Sequence, residues 1–243
     1  MEIRSIASNI SDRLAKAYEV ARNTIQSEHQ EARLALQDIE EQLKGVELTE
    51  DHPPSTEELA LFDDWGEKAW AIHSSEDDLL VLEEVRVVFL FRTVEIAIKE
   101  MMHIAFPNIN PKDLYRWDIV KSHLKANGIT VGNIPGYQET DSLRVVNNNI
   151  KHSPELSEDT KRSLPYWNSE LEFTYNNLSN FREQVEPKIR QFMEGLGDTI
   201  IEAAFNFDDS KLEGIACDLS ERLSSEHAAK LIEKLTSKYE DLV

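Results

Sequence analysis

The sequence is poor in the residues that build disulfide frameworks, metal clusters and turn-rich sheets. Its 243 residues include one cysteine, Cys217, which excludes an internal disulfide and any cluster of cysteine ligands for a metal. Eight glycines and eight prolines are few for a chain of this length, and this scarcity argues against a β-rich architecture. No apolar run of about 18 residues and no signal-peptide start are present. We therefore expect a cytoplasmic protein without a membrane segment.

Acidic residues outnumber basic ones by 46 to 26, giving a formal net charge of -20. Such a surface repels the phosphate backbone of nucleic acids. The charge is uneven, however. Residues 111–163 hold eight basic and seven acidic residues, a net of +1, whereas residues 37–84 hold sixteen acids and two lysines, a net of -14. The near-neutral region is where a local RNA site would fit on this acidic body.

Apolar residues recur at helical spacing along most of the chain and predict an all-α helical bundle. A long N-terminal helix is expected from Ile3 to about Gly45, with a possible break at residues 26–33. A second helix is expected from Ser55 or Thr56, and a very apolar third one, capped by Ser75, ends before Pro107. We assign Trp65 and Trp70 to the core. The apolar run at 85–98 predicts a helix surrounded by protein on all sides.

The second half of the sequence predicts further helices. One begins near Pro111 and ends at Asn127-Gly128, a glycine-containing loop covers 129–138, and a long helix starts at Leu164-Pro165 and reaches Gly195. A C-terminal helical hairpin is expected at 212–223 and 226–242, with Ser224 or Ser225 as a cap. These elements predict three parts, namely an arm at 1–52, a bundle at 53–197 and C-terminal helices at 198–243.

One short stretch, residues 142–154, is costly for a helix. Asp141 or Ser142 is its expected N-cap, Leu143, Val146 and Ile150 fall on one face, and Pro154 ends it. The asparagines at 147, 148 and 149 each cost about 0.6 kcal/mol relative to alanine, or about 2 kcal/mol together. Helix propensity does not explain them, so we look for function here.

Three polar side chains of this stretch, Arg144, Asn148 and His152, lie at positions i, i+4 and i+8 and share one face. A structural interpretation is open, because the helix dipole favours His152 and Lys151 in a last turn and asparagines can bond to neighbouring loops. A functional interpretation is that the face binds a partner.

The pattern Asn-x-x-Ile-Lys-His-Ser, one turn after an arginine, resembles the signature helix of HEPN domains. Members of that family are small all-α domains. Many are dimeric, metal-independent endoribonucleases of toxin-antitoxin, antiphage and RNA-processing systems. The family has four to six residues between its arginine and its histidine; here seven separate Arg144 from His152, and Asn147 stands five before the histidine.

The resemblance implies that the catalytic residues are His152, Arg144 and Asn148. His152 would be the general base or acid, since imidazoles titrate near neutrality; Arg144 would stabilise the charged phosphate; and Asn148 would position either of them. Arg144 and His152 are about 12 Å apart along a helix axis. A homodimer with two such helices antiparallel would bring the arginine of one copy beside the histidine of the other.

Other residues are expected to bind the RNA rather than to cut it. They are Lys151 and Asn147 on the same helix, and Arg116, Lys121 and Lys125 on the exposed face of the preceding one. No metal ion or cofactor is implied. The expected partners are RNA, a second copy, and a basic partner or antitoxin protein. The alternative is a non-catalytic dimeric module whose acidic arms bind a partner protein.

Overall fold

The computed structural model describes residues 2–8, 15–44, 46, 54–114 and 116–240. These residues form α-helices and short 3-10 turns without a β-strand, which confirms the predicted all-α fold. The α-helices are α1 Glu2–Ser8, α2 Ala15–Leu43, α3 Thr56–Ala105, α4 Trp117–Ala126, α5 Tyr137–His152, α6 Glu158–Ser163, α7 Tyr175–Phe205, α8 Asp209–Arg222 and α9 Ser225–Glu240. None of these described helices combines the length and apolarity needed to cross a bilayer.

Helix α3 is a single element of 50 residues, about 75 Å long. Ser55 and Glu58 form a capping box at its start, as the sequence predicts. The predicted new start at Ser75 is wrong, because that residue is buried in the middle of α3. Its hydroxyl donates to the carbonyl of Ile72 at 2.7 Å and lies 2.8 Å from Nδ1 of His29. Ser75 therefore fastens α2 to α3.

Helix α2 runs antiparallel to the N-terminal half of α3, and the two form a hairpin. Trp65 Nε1 donates to Glu40 near one end, at 3.4 Å, and Tyr18 bonds to Glu83 near the other. Helix α2 is continuous through residues 26–33, so the break considered there does not occur. A layer two helices thick can bury only a narrow apolar stripe. Much of the remaining surface of this hairpin is exposed to solvent.

Several large apolar side chains of α3 are exposed in this single chain. Trp65 is 40% and Trp70 69% exposed, so their assignment to the core is wrong. The 85–98 segment is likewise only partly surrounded, since Val85 is 51% and Ile96 45% exposed. Both errors have the same physical origin. The number of neighbouring helices, which the periodicity of one helix cannot show, decides how much of its apolar surface is buried.

The core lies between the C-terminal half of α3, α5 and α7, with α1 packed on α3 and α7. Pro165–Trp167 is a 3-10 turn and α7 begins at Tyr175, so the predicted start at Pro165 is wrong. Helix α7 also continues past Gly195, and the predicted division at 197/198 falls within it. A Cβ on Gly197 would lie 2.9 Å from Cβ of Ala7. This glycine permits close packing of α1 rather than ending the helix.

A buried charged network joins α2, α3 and α7. The carboxylate of Glu83, which is fully buried, accepts hydrogen bonds from the hydroxyl of Tyr18 and from Nε of Arg182. The guanidinium of Arg86 lies 4.1 Å from the centre of the Tyr18 ring. Burial, and then the bond to Glu83, raises the pKa of Tyr18. The phenol therefore stays neutral and remains a donor to the carboxylate.

Helix α5 begins one turn earlier than its sequence suggests, at Tyr137 rather than after Asp141 or Ser142. Its N-cap is Gly136, whose φ is +84°. A Cβ there would lie 2.0 Å from the carbonyl oxygen of Lys188 on α7. Glycine is therefore required both by the backbone conformation and by the contact that seats α5 on α7.

The two predicted C-terminal helices are confirmed as α8 and α9. The hydroxyl of Ser224 accepts a hydrogen bond from the backbone N–H of His227 at 3.3 Å, as expected for an N-cap. Helix α8 has no buried residue, and its Leu212 and Ile215 are exposed.

Replacing Arg182 by Met tests the buried network. Arg182→Met leaves the Glu83 carboxylate buried without its cation, and we expect the free energy of unfolding to fall by about 3–5 kcal/mol. Arg162→Met, which removes an exposed pair with Asp159, should cost about 0–1 kcal/mol. Urea unfolding measures both. Equal losses in the two variants would show that the network does not hold the helices.

Alanine substitutions at two glycines with positive φ test how the start of α5 packs against α7. Gly128 has φ +80° with open space around its Cβ position, so Gly128→Ala should cost about 1–2 kcal/mol in strain alone. Gly136→Ala adds the collision with Lys188, and we expect a loss of more than about 3 kcal/mol. Thermal unfolding monitored by circular dichroism compares them. Similar losses would mean that the contact relaxes at little cost.

Candidate nucleic-acid interface

Helix α5 divides into an apolar and a polar half. Leu143 and Val146 are fully buried and Ile150 is partly buried against the core, as their spacing predicts. Asn148, Lys151 and His152 are exposed, and Arg144 is partly exposed. The face predicted to carry function is therefore accessible, on a helix that the core holds rigidly from behind.

The three successive asparagines have different environments. Asn149 is 5% exposed and clamps the segment after α5: its amide nitrogen donates to the carbonyls of Ser153 and Glu155, at 3.1 and 2.8 Å. Its oxygen accepts from the backbone of Ser157 and the hydroxyl of Thr160, both at 2.7 Å. This asparagine is explained by structure. Those at 147 and 148 are not.

A cavity of about 540 Å³ lies between α3, α4 and α5, and we call it the α4–α5 cavity. Five basic side chains and two acidic ones line it, which makes it locally cationic on an acidic protein. The basic residues are Lys99, Arg116, Lys121, Arg144 and Lys151, and the acidic ones are Glu95 and Asp118. Phe91, Ile98, Leu114 and Val120 supply apolar walls. This composition suits a ligand with a flat apolar part and a phosphate.

A second cavity, of about 500 Å³, lies between α5 and the turn leading into α6, and we call it the α5–α6 cavity. The three residues expected to be catalytic, Arg144, Asn148 and His152, all line it. Arg144 and Asn148 also line the α4–α5 cavity. Arg144 and Asn148 therefore separate the two cavities. The imidazole of His152 lines the α5–α6 cavity but not the α4–α5 cavity.

The Arg144 side chain is held in place by a neighbour on its own helix. Its Nε donates to Oδ1 of Asp141 at 2.8 Å and its terminal nitrogen to Oδ2 at 3.3 Å. The pairing orients the guanidinium and partly neutralises it. Because Arg144 and His152 are about 12 Å apart along the axis, one helix does not bring both to the same phosphate.

Four of the five residues expected to bind RNA line the α4–α5 cavity, namely Arg116, Lys121, Asn147 and Lys151. Arg116 is paired with Asp118 at 2.8 Å. Within the described residues neither Lys121 nor Lys151 has an ion-pair partner, so both are free to meet an anion. Lys125 is different, because it lies in the last turn of α4 and lines neither cavity.

Sequence reasoning missed several lining residues. Lys99 and Glu95 come from α3, far away along the chain, and no local pattern connects them with α5. Trp117, at the start of α4, also lines the α4–α5 cavity. Arg162, on α6, lines the α5–α6 cavity. Only the tertiary packing of these helices brings the side chains together.

Over the described ranges, no group of three or more His, Cys, Asp or Glu side chains is arranged to hold a metal ion. Comparison with family models, curated proteins and solved structures gives no match to this chain. The function must therefore be inferred from the cavities themselves.

Two neighbouring asparagines test which part of the run is structural. Asn149→Ala leaves the buried Thr160 hydroxyl and the Ser157 N–H without this partner, so we expect a loss of about 2–4 kcal/mol in unfolding free energy. Asn148→Ala removes an exposed side chain and gains about 0.6 kcal/mol of helix propensity, so its net effect should stay within about 1 kcal/mol. Urea titration gives both values. A larger loss at 148 than at 149 would contradict this division.

Proposed function

We propose that this protein is a HEPN-like, metal-independent endoribonuclease that works as a homodimer. The observation that carries the proposal is the convergence of Arg144, Asn148 and His152 on one cavity, beside a second cavity lined by Lys121 and Lys151, which have no ion-pair partner among the described residues. A cationic pocket on a protein of charge -20 is a specific local feature. It gives a phosphate chain a place to bind.

The chemistry that suits these side chains is transesterification within the RNA. His152, as general base, takes the proton from a 2'-hydroxyl, whose oxygen attacks the adjacent phosphorus. The bond from phosphorus to the 5' oxygen breaks, and that oxygen takes a proton from water. Arg144 stabilises the added negative charge on the phosphoryl oxygens, and Asn148 donates to one of them. The products are a 2',3'-cyclic phosphate and a 5'-hydroxyl.

A second copy of the chain supplies the geometry that one helix lacks. Two α5 helices placed antiparallel would put Arg144 of one copy beside His152 of the other. The apolar surface of α3 supports this arrangement. Ile96, exposed on α3, is a helix neighbour of Lys99, which lines the α4–α5 cavity. A partner that covered Ile96 and Val85 would therefore lie against the rim of the site.

A non-catalytic interaction module is the second candidate, and the α2–α3 hairpin favours it. Trp65, Trp70 and Leu59 are exposed on a hairpin that contains most of the strongly acidic 37–84 segment. Exposed aromatic side chains among carboxylates suit a basic partner protein, such as an antitoxin. This surface is separate from the two cavities, so one protein could carry both activities.

Cleavage of end-labelled RNA in EDTA tests the nuclease. We expect 2',3'-cyclic ends from the wild type and a loss of about 100-fold or more in Arg144→Ala and His152→Ala. His103→Ala, at the exposed end of α3, is the matched control and should cut normally. Because each intact centre would combine two copies, coexpressing the two inactive variants should restore about one quarter of the activity.

The outcomes separate the candidates. RNA that stays uncut by an intact wild-type dimer would contradict the nuclease and leave the interaction module. Cleavage that persists in both variants would show that the α5–α6 cavity is not the catalytic centre. Loss of activity in both single variants without recovery on coexpression would place the arginine and the histidine of one centre in the same copy.

A further inference from the structure

Two polar atoms in the residues lining the α4–α5 cavity are buried without a hydrogen-bond partner. They are Oδ1 of Asn147, on α5, and the indole N–H of Trp117, at the start of α4. Asn147 is 0% exposed, so bulk water does not compensate for the missing partner. Buried polar groups in native proteins are nearly always paired, and each exception needs an explanation. A bound ligand is one that accounts for both atoms.

The two atoms have complementary chemistry. The Asn147 oxygen is an acceptor and the Trp117 nitrogen is a donor, and they come from different helices that line one cavity. The Asn147 amide nitrogen donates to Oδ1 of Asn148 at 3.2 Å and keeps a second hydrogen for another acceptor. A ligand that offers both a donor and an acceptor would give each of these atoms a partner.

Nucleobase edges offer that pattern in a flat group. Adenine and cytosine each carry an exocyclic amino group beside a ring nitrogen that accepts. On the corresponding part of their Watson–Crick edges, guanine and uracil carry a carbonyl oxygen beside an N–H group, and this oxygen would face the lone pairs of Asn147. The cavity volume of about 540 Å³ lies within the usual range of about 300–1,000 Å³ for small-ligand sites. Its apolar walls suit an aromatic ring.

We propose that the α4–α5 cavity is a base-selecting subsite that takes one adenine or cytosine of the RNA strand. Asn147 accepts from the amino group, and Trp117 donates to the ring nitrogen. Lys121 and Lys151 bind the phosphate of that nucleotide. Because Arg144 and Asn148 line both cavities, the next phosphate of the strand lies at the catalytic wall. The inference rests on the proposed function, since it specifies which nucleotide the nuclease recognises.

Fluorescence anisotropy with labelled heptamers tests the subsite. One central base is A, C, G or U in an otherwise uridine strand, and 2'-fluoro sugars remove the attacking hydroxyl. We expect the strands with A or C to bind about tenfold more tightly than those with G or U. Trp117→Phe keeps an aromatic ring but removes the donor, and it should abolish this preference. Trp70→Phe, on the exposed hairpin, should leave the preference intact.

Asn147→Leu is the second variant, because leucine has a volume similar to that of asparagine but no polar side-chain atoms. Two variants allow the test to proceed if one of them is unstable. It should lose the same preference. Free AMP and CMP, measured by calorimetry, separate two sources of the base. Binding that Trp117→Phe abolishes would show that the subsite also accepts single nucleotides, and binding confined to the heptamers would assign it to the strand.

Equal affinity for all four bases, or a preference that survives in both variants, would overturn the subsite while RNA cleavage still stood. No binding of any heptamer would overturn the proposed function instead. In that case, binding of AMP or CMP that is lost in Trp117→Phe would show that the cavity binds a base, and its ligand would be a free nucleotide rather than RNA.

Discussion

One buried carboxylate holds the long helices of this protein in register. Glu83 on α3 is fully buried and accepts from Tyr18 on α2 and from Arg182 on α7. An unpaired charge in the interior is strongly destabilising, so an arrangement that supplies both donors is favoured over one that leaves this carboxylate without them. The position of α7 then sets that of α5, because Gly136 lies directly against the Lys188 carbonyl. The candidate site therefore depends on an ion pair that is not part of it.

Helix α5 is held on three sides and left free on the fourth. Leu143 and Val146 fix it to the core, Gly136 seats its start, and Asn149 fastens the segment that follows its end. A site needs side chains carried by a rigid element if they are to act on a phosphate with fixed geometry. The exposed face, with Asn148, Lys151 and His152, remains accessible to a ligand.

The sequence predicts features that depend on neighbouring residues and fails where distant contacts decide. The buried face of α5, the Ser55 cap and the C-terminal helices follow from local spacing and were found. Ser75 has the sequence signature of a cap, yet it bonds to His29 across the hairpin. Gly136 appeared to be a loop glycine, and its contact with α7 was not visible in the chain. The sequence shows that the three asparagines are costly for a helix. It does not show that Asn149, which makes the most hydrogen bonds of the three, has a structural role.

Charge decides how a nucleic acid can approach this protein. Its body carries -20, so a long phosphate chain laid across the surface is repelled over most of its length. Screening limits that repulsion to about 8–10 Å, and the cations of the α4–α5 cavity can attract only the one or two phosphates that come within this range. With so few phosphate contacts, the affinity for an RNA strand would have to come largely from the proposed base contact inside the cavity. An acidic surface with a locally cationic cavity thus favours selective binding of a short unpaired segment over non-specific binding along a duplex.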